Sequence, residues 1–225
     1  MTAKKSNTKT KKAPSAQDLM GAYMEYVLHH GEEPKSVYKF AKDNDLDEQA
    51  FYAQFGSFTG LRKQIWIAFF ENTMSVLHKN KEYNSYRNQE KMLSFFFTFF
   101  EVLTANRSYV LFVKEHSQGK MKGLDQLKGL RTRVKAFAAD LIEDANDEKA
   151  NRLAKNPVGL FSEGAWVQLA LLMNYWANDD SPGFEKTDLA IEKSVKAIFD
   201  LFETTPLESI LDLGKFIFKE NFAKA

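Results

Sequence analysis

Cysteine is absent from the chain, which removes disulfides, thiolate nucleophiles and cysteine-based metal sites and makes a reducing cytoplasm the expected compartment. Glycine and proline are scarce, at 11 and 5 of 225 residues, so long helices joined by few turns are expected rather than a turn-rich β-protein. No stretch shows the apolar/polar alternation of a strand. The longest apolar run lies within Ser94-Phe95-Phe96-Phe97-Thr98-Phe99-Phe100, far too short to cross a bilayer, and no apolar segment follows the N-terminal lysines as a leader would require. Neither a membrane span nor export is expected.

Catalytic patterns are equally thin. His29, His30, His78 and His116 make no metal-ligand spacing, no glycine-rich phosphate loop occurs, and Ser162 lies in no nucleophile elbow. The expectation is a non-enzyme with no catalytic residue, no metal and no cofactor.

Phenylalanine is abundant. There are 20 Phe against 8 Tyr and 3 Trp, so the interior is built from flat rings that mostly lack a polar handle. Net charge is +1 but uneven, because Lys4, Lys5, Lys9, Lys11 and Lys12 crowd the first dozen residues. Residues 1–15 place nothing apolar at helical spacing and read as a disordered basic arm.

From Ser15, a plausible N-cap, Leu19, Tyr23, Tyr26, Val27 and His30 recur at three and four residues, which predicts an amphipathic helix ending at Gly31. Ser36 can cap a short helix over 37–42. A second short helix starts at Asp47 and runs through Phe51 to about Phe55. Residues 58–79 then read as a long helix, followed by helices at about 88–105, 107–117, 124–145, 160–178, 185–203 and 206–222, broken at Asn156-Pro157 and Ser181-Pro182-Gly183. No solenoid repeat is visible, so the fold class is all-α, an irregular bundle.

Residues 31–61 carry a set of landmarks in a fixed order: Gly31, Ser36-Val37, Ala41, Phe51-Tyr52-x-x-Phe55, Ser57 and Leu61. This order resembles the helix-turn-helix of the TetR family of dimeric regulators. The resemblance is specific over about thirty residues and architectural beyond them. It implies a three-helix DNA-binding head at 16–60 and a ligand-binding, dimerising body at 61–225. The residues agree physically: Ala41 is small enough to let two short helices cross closely, while Val37, Phe40, Leu46, Phe51 and Phe55 can form a three-helix core. The head would present the helix near 47–53 to a major groove. The DNA-facing candidates are Ser36, Lys39, Gln49, Tyr52 and Gln54, with Lys4, Lys5, Lys9, Lys11 and Lys12 of the arm.

Charge runs against that reading. Asp45 stands where the family usually has a turn glycine, Asp47-Glu48 where its recognition helix usually begins with small or hydroxylated residues, and Phe58 where a Lys is common. Over residues 19–66 seven carboxylates (Glu25, Glu32, Glu33, Asp43, Asp45, Asp47, Glu48) face five cations (Lys35, Lys39, Lys42, Arg62, Lys63), a net of −2. Duplex DNA binding rests on cation–phosphate contacts. Two readings stay open: the lysine arm supplies the missing contacts, or the head no longer binds DNA. The arm also reads as a solubilising tail, and Asp47 and Glu48 as helix-capping residues.

In the body, Phe96, Phe99, Phe100, Phe112, Phe137, Phe161, Trp166, Met173 and Trp176 are candidates to line a cavity for a small hydrophobic ligand, with ordinary core packing as the other account of each. Two apolar stripes, Leu160, Val167, Leu171 and Tyr175 on one helix and Leu189, Ile191, Val195, Ile198, Phe199 and Phe202 on the next, fall on the late helices that the resemblance assigns to a homodimer seam, core within one chain being the alternative. Leu207, Ile210, Leu211, Ile217, Phe218 and Phe222 form a last stripe that reads as a lid, dimer element or partner site. Between Lys114 and Lys135 basic residues outnumber acidic ones, which fits a solvated face or an anionic lipid or protein surface. The function expected is a ligand-controlled TetR-like transcriptional regulator. The alternative is a protein of that fold that binds a lipid, an isoprenoid or a partner, similar to the helical lipid-binding proteins of coenzyme Q biosynthesis.

Overall fold

A computed structural model of the chain describes residues 13–116, 125–147 and 157–204. Among them are nine α-helices and no strand: α1 Ala16–His30, α2 Val37–Asp43, α3 Glu48–Tyr52, α4 Phe58–Lys79, α5 Asn88–Ala105, α6 Arg107–His116, α7 Lys128–Asp147, α8 Val158–Ala177 and α9 Glu185–Thr204. The arm lysines and the expected helix at 206–222 lie outside the described residues.

Local chemistry sets the first boundaries. The Ser15 hydroxyl accepts from the Asp18 amide while Asp18 accepts from the Ser15 amide, a reciprocal cap that starts α1. Gly31 ends it in the left-handed region at φ 66°, its amide donating to the Val27 carbonyl at 2.9 Å. Ser36 caps α2 and Ser57 caps α4 through their hydroxyls. Asp47 is the N-cap of α3, its carboxylate accepting from the Gln49 amide at 3.1 Å, so the capping account of this residue is the observed one. The helix is shorter than expected: it stops at Tyr52, and Phe55 is held by its amide donating to the Phe51 carbonyl.

The first three helices pack as the apolar pattern requires. Phe40, Ala41 and Phe51 are fully or almost fully buried and Phe55 is buried, with Val37 and Leu46 half-buried against them. Phe58 joins this core, its ring within 5.2–5.6 Å of Phe51, Tyr23 and Phe40. The turn between α2 and α3 holds Asp45 at φ 53°, left-handed backbone at the position where a glycine is usual in the resembled motif. Aspartate tolerates this region better than most residues, but glycine adopts it without strain. We therefore expect Asp45→Gly to stabilise the protein by roughly 0.5–1 kcal/mol, even with loss of its side-chain contact. Thermal unfolding should shift upward by a few degrees; an unchanged or lower midpoint would show that the carboxylate contributes more than the strain removes.

One hydrophobic core runs from Leu19 in α1 to Val195 in α9. α5 lies in its middle, packed on α4, α7 and α9, while α8 packs on α7 and α9. α1 is joined to the rest through α4 and α6. α7 lies close on α4 at Gly129: a Cβ there would sit 2.7 Å from Ile67 Cδ1. The cations of α7 bind its neighbours, Arg133 pairing with Glu71 of α4 at 2.7 Å and Arg131 with Glu163 of α8 at 2.8 Å, Lys135 joining Glu163 as well. The Lys128 ammonium, followed by that of Lys63, holds the Asp125 carboxyl down to about 2. Among the described residues, the basic stretch from Lys128 to Lys135 is thus a paired, solvated face, while Lys120 and Lys122 lie outside them.

Candidate functional site

On the α2–α3 unit the DNA-facing candidates are at the surface. Gln49 and Tyr52 project from α3, Gln54 follows it, and Tyr52 is 54% exposed. Tyr38 on α2, which sequence reading passed over, is 60% exposed; a large ring among the polar residues Lys39, Lys42 and Asp43 of that helix was its only signal. Ser36 has a structural task, its hydroxyl accepting from the Lys39 amide at 3.1 Å. Charge on this unit is largely internal. Lys39 pairs with Asp43 at 2.9 Å, Arg62 with Glu33, and Lys63 with Asp125 at 2.7 Å. Three of the five cations counted from the sequence therefore already face a carboxylate.

Behind the α1–α3 unit lies a polar cluster in the core. Tyr23 of α1 and Tyr109 of α6 are each only 1% exposed, and neither hydroxyl has a hydrogen-bond partner among the described atoms. Arg62, paired with Glu33, lies against the Tyr23 hydroxyl without being placed to donate a well-formed bond to it. Burial, then the Glu33 charge, pushes the Tyr23 phenol up to about 12, and burial drives Tyr109 higher still.

The ligand candidates belong to one continuous interior. Phe96, Phe99, Phe100, Phe112, Phe137, Phe161 and Trp176 are buried, and Trp166 and Met173 are half-buried against them. Phe95 organises the middle, its ring 4.8 Å from that of Phe137 and stacked at 5.7 Å on Phe99. Phe100 lies 6.2 Å from Trp176, whose Nε1 donates to the Thr104 hydroxyl at 3.1 Å.

The two late stripes separate. Ile191 and Val195 of α9 are fully buried and Ile198 and Phe199 half-buried, so these belong to the core of one chain, as the intrachain alternative had it. On α8, by contrast, Val167, Leu171 and Tyr175 are exposed, Leu171 at 67%, and Leu189 of α9 is exposed as well. From Gly164 to Ala177 the helix carries no charged side chain. One apolar face of α8 is left uncovered while its other face, with Phe161, Ala165, Leu169, Leu172 and Trp176, is in the core.

The α8–α9 corner is closely knit. Asp179 accepts from the Ser181 amide and hydroxyl and from the Thr187 amide and hydroxyl, at 2.6–2.9 Å. These bonds, the hydroxyl of Ser181 foremost, hold its carboxyl well below the usual range. Asp188 behaves oppositely: burial, then Glu101, Glu192, Asp179 and Glu185, raise it. A carboxyl raised in the folded state favours folding only below its unfolded value of about 4 and loses that contribution as pH rises through the folded value. Asp188→Asn should therefore raise the melting temperature at pH 7, with the gain shrinking on acidification to about pH 3. A constant gain across that range would assign it to packing instead.

The class of protein is now defined: an all-helical chain with a helix-turn-helix unit on a helical body. Residues 91–217 match the family described as tetracyclin repressor-like, C-terminal domain, more than half of the chain, and the protein belongs to the TetR family. The match covers α5 to α9 and not the α1–α3 unit, which is carried by its own landmarks. No curated protein and no solved structure matches the chain. Among the described residues no helix is long and apolar enough to cross a membrane, and no group of His, Asp and Glu is arranged to hold a metal ion.

Proposed function

We propose that the chain is a cytoplasmic homodimeric transcriptional regulator, divided into a basic arm (1–15), a DNA-binding head (16–60) and a body (61–225) that binds a small hydrophobic ligand and dimerises. The observation that carries this reading is the pairing of an outward-facing α3, with Gln49, Tyr52 and Gln54 at the surface, with a TetR-type body whose α8 presents an uncovered apolar face. The Phe-rich interior around Phe96, Phe99 and Phe100 supports a greasy or flat ligand. Ligand binding would act by shifting the relative placement of two heads and so their fit to the operator.

Phosphate neutralisation is the weak term of this head, and the arm is its remedy. Each lysine–phosphate contact steepens the dependence of log affinity on log salt by about 0.9. Removing residues 1–12, with their five lysines, should flatten the slope by up to about 4–5 and weaken binding most at low salt. The test is fluorescence anisotropy of the full chain and the truncated chain on the DNA upstream of its own gene, in excess random DNA. Binding no tighter than to random DNA would refute the regulator.

A second reading is favoured by one observation: Lys39, Arg62 and Lys63 are engaged in ion pairs while Asp43, Asp45, Asp47 and Glu48 crowd the turn of the motif. On that account DNA binding has been lost and the body carries a lipid or isoprenoid or binds a partner. The same titration separates the two.

A further inference from the structure

We propose that Arg107 is a positioning residue that ties α6 to the end of α8, so that assembly of two chains through α8 sets how firmly α1 is seated; the proposal rests on the dimer reading above. Arg107 is the first residue of α6. Its Nη1 donates to the Trp176 carbonyl at 3.0 Å, and its Nη2 to the carbonyls of Ala177 and Asp179 at 3.4 Å. Trp176 and Ala177 close α8, where helix carbonyls have no intrahelical donor, and Asp179, two residues beyond, donates its own amide to the Trp176 carbonyl at 3.1 Å. The guanidinium carbon also lies 4.5 Å from the ring centroids of both Trp176 and Phe184.

The corner is shaped around that cation. Gly183 and Phe184 are both left-handed, at φ 63° and 60°, a conformation a bulky side chain rarely adopts, and this brings the Phe184 ring over the guanidinium. Asp179 fastens the same loop through Ser181 and Thr187. Tyr175, one residue before the first carbonyl that Arg107 holds, stands on the uncovered face of α8.

The other side of the lever is α1. Two residues beyond Arg107, Tyr109 is buried in the interface of α6 with α1, in the cluster with Tyr23 and Arg62. Two buried hydroxyls without partners make this contact less favourable than one in which they are paired, so α1 is seated on α6 with little margin. A partner chain that fixes the last turn of α8 fixes Arg107, and with it the surface on which α1 rests.

The test is a cycle of amide hydrogen exchange on the full chain: native, Leu171→Glu, Arg107→Gln and the double variant, with α7 amides as the internal reference. Loss of the seam by Leu171→Glu should speed exchange in α1 about tenfold over α7. Arg107→Gln should do the same while remaining dimeric, and the double variant should exceed it by no more than about twofold. Factors that multiply independently, or a rise shared equally by α7, would overturn the coupling even if Leu171→Glu gives monomers. A native protein that sediments as a monomer would instead overturn the dimer reading and the proposal with it. Arg107→Lys keeps a cation over both rings but lacks the fork for the carbonyls. It should give an intermediate factor, and it carries the same cycle if Arg107→Gln does not fold.

Discussion

Replacing Leu171 with glutamate is expected to convert the proposed dimer into monomers, with little change in helical content. Leu171 is the most exposed of the large hydrophobic residues among the described ones, on a face continued by Val167 and Tyr175, so within one chain the substitution only adds a solvated charge. In a two-fold seam each carboxylate would be buried against an apolar partner, and the symmetry imposes the penalty twice. A loss of about 3 kcal/mol or more corresponds to a dissociation constant weaker by over ~100-fold. Sedimentation velocity over a concentration series measures it. Val167→Glu should behave alike. A Leu171→Glu protein with the native mass at every concentration would place the seam elsewhere.

Phe99→Ala is expected to cost about 3–5 kcal/mol if the ring is part of a filled core. The side chain is fully buried, stacked on Phe95 and edge-on to Phe100 at 6.2 Å. For a chain of this size that loss lowers the melting temperature by roughly 6–20 °C. The same variant reports on the ligand reading. A ring that lines a ligand cavity has fewer neighbours to lose, so truncation there should cost under about 1.5 kcal/mol and alter the affinity for an apolar dye instead. Trp166→Ala, at a half-buried position, is the comparison: it should cost less than Phe99→Ala if Phe99 is core, and a similar amount if both line a cavity.

How much was legible before the structure depended on the range of the interaction. Gly31, Ser36, Asp47 and Ser57 announce helix ends because a cap is made with backbone groups two to four residues away, and the order of Gly31, Ser36, Ala41, Phe51, Phe55, Ser57 and Leu61 carried the resemblance to a helix-turn-helix. Asp45 was visible as an odd residue at a turn, and its left-handed backbone supplies the reason. Arg107 had no such signal. Its carbonyl partners lie 69 to 72 positions along the chain, and nothing in the residues around it distinguishes a clamp from a solvated arginine. Tyr23 and Tyr109 likewise read as two ordinary aromatic positions on separate helices, because only their meeting in the α1–α6 contact leaves two hydroxyls unpaired.

The sequence by itself determined that this chain is helical, where most of its helices begin and end, that its first three helices form a helix-turn-helix, and that its body is built on phenylalanine. All of these rest on contacts within a turn or two, or on composition. The tertiary structure decided which apolar stripe is interior and which stays at the surface: Ile191 and Val195 went inside, while Val167, Leu171 and Tyr175 stayed out. Periodicity identifies the apolar face of a helix but not what covers it, because burial is settled by the placement of the neighbouring helices, here α7 and α9 against α8, and by the side chains that fill the space between them.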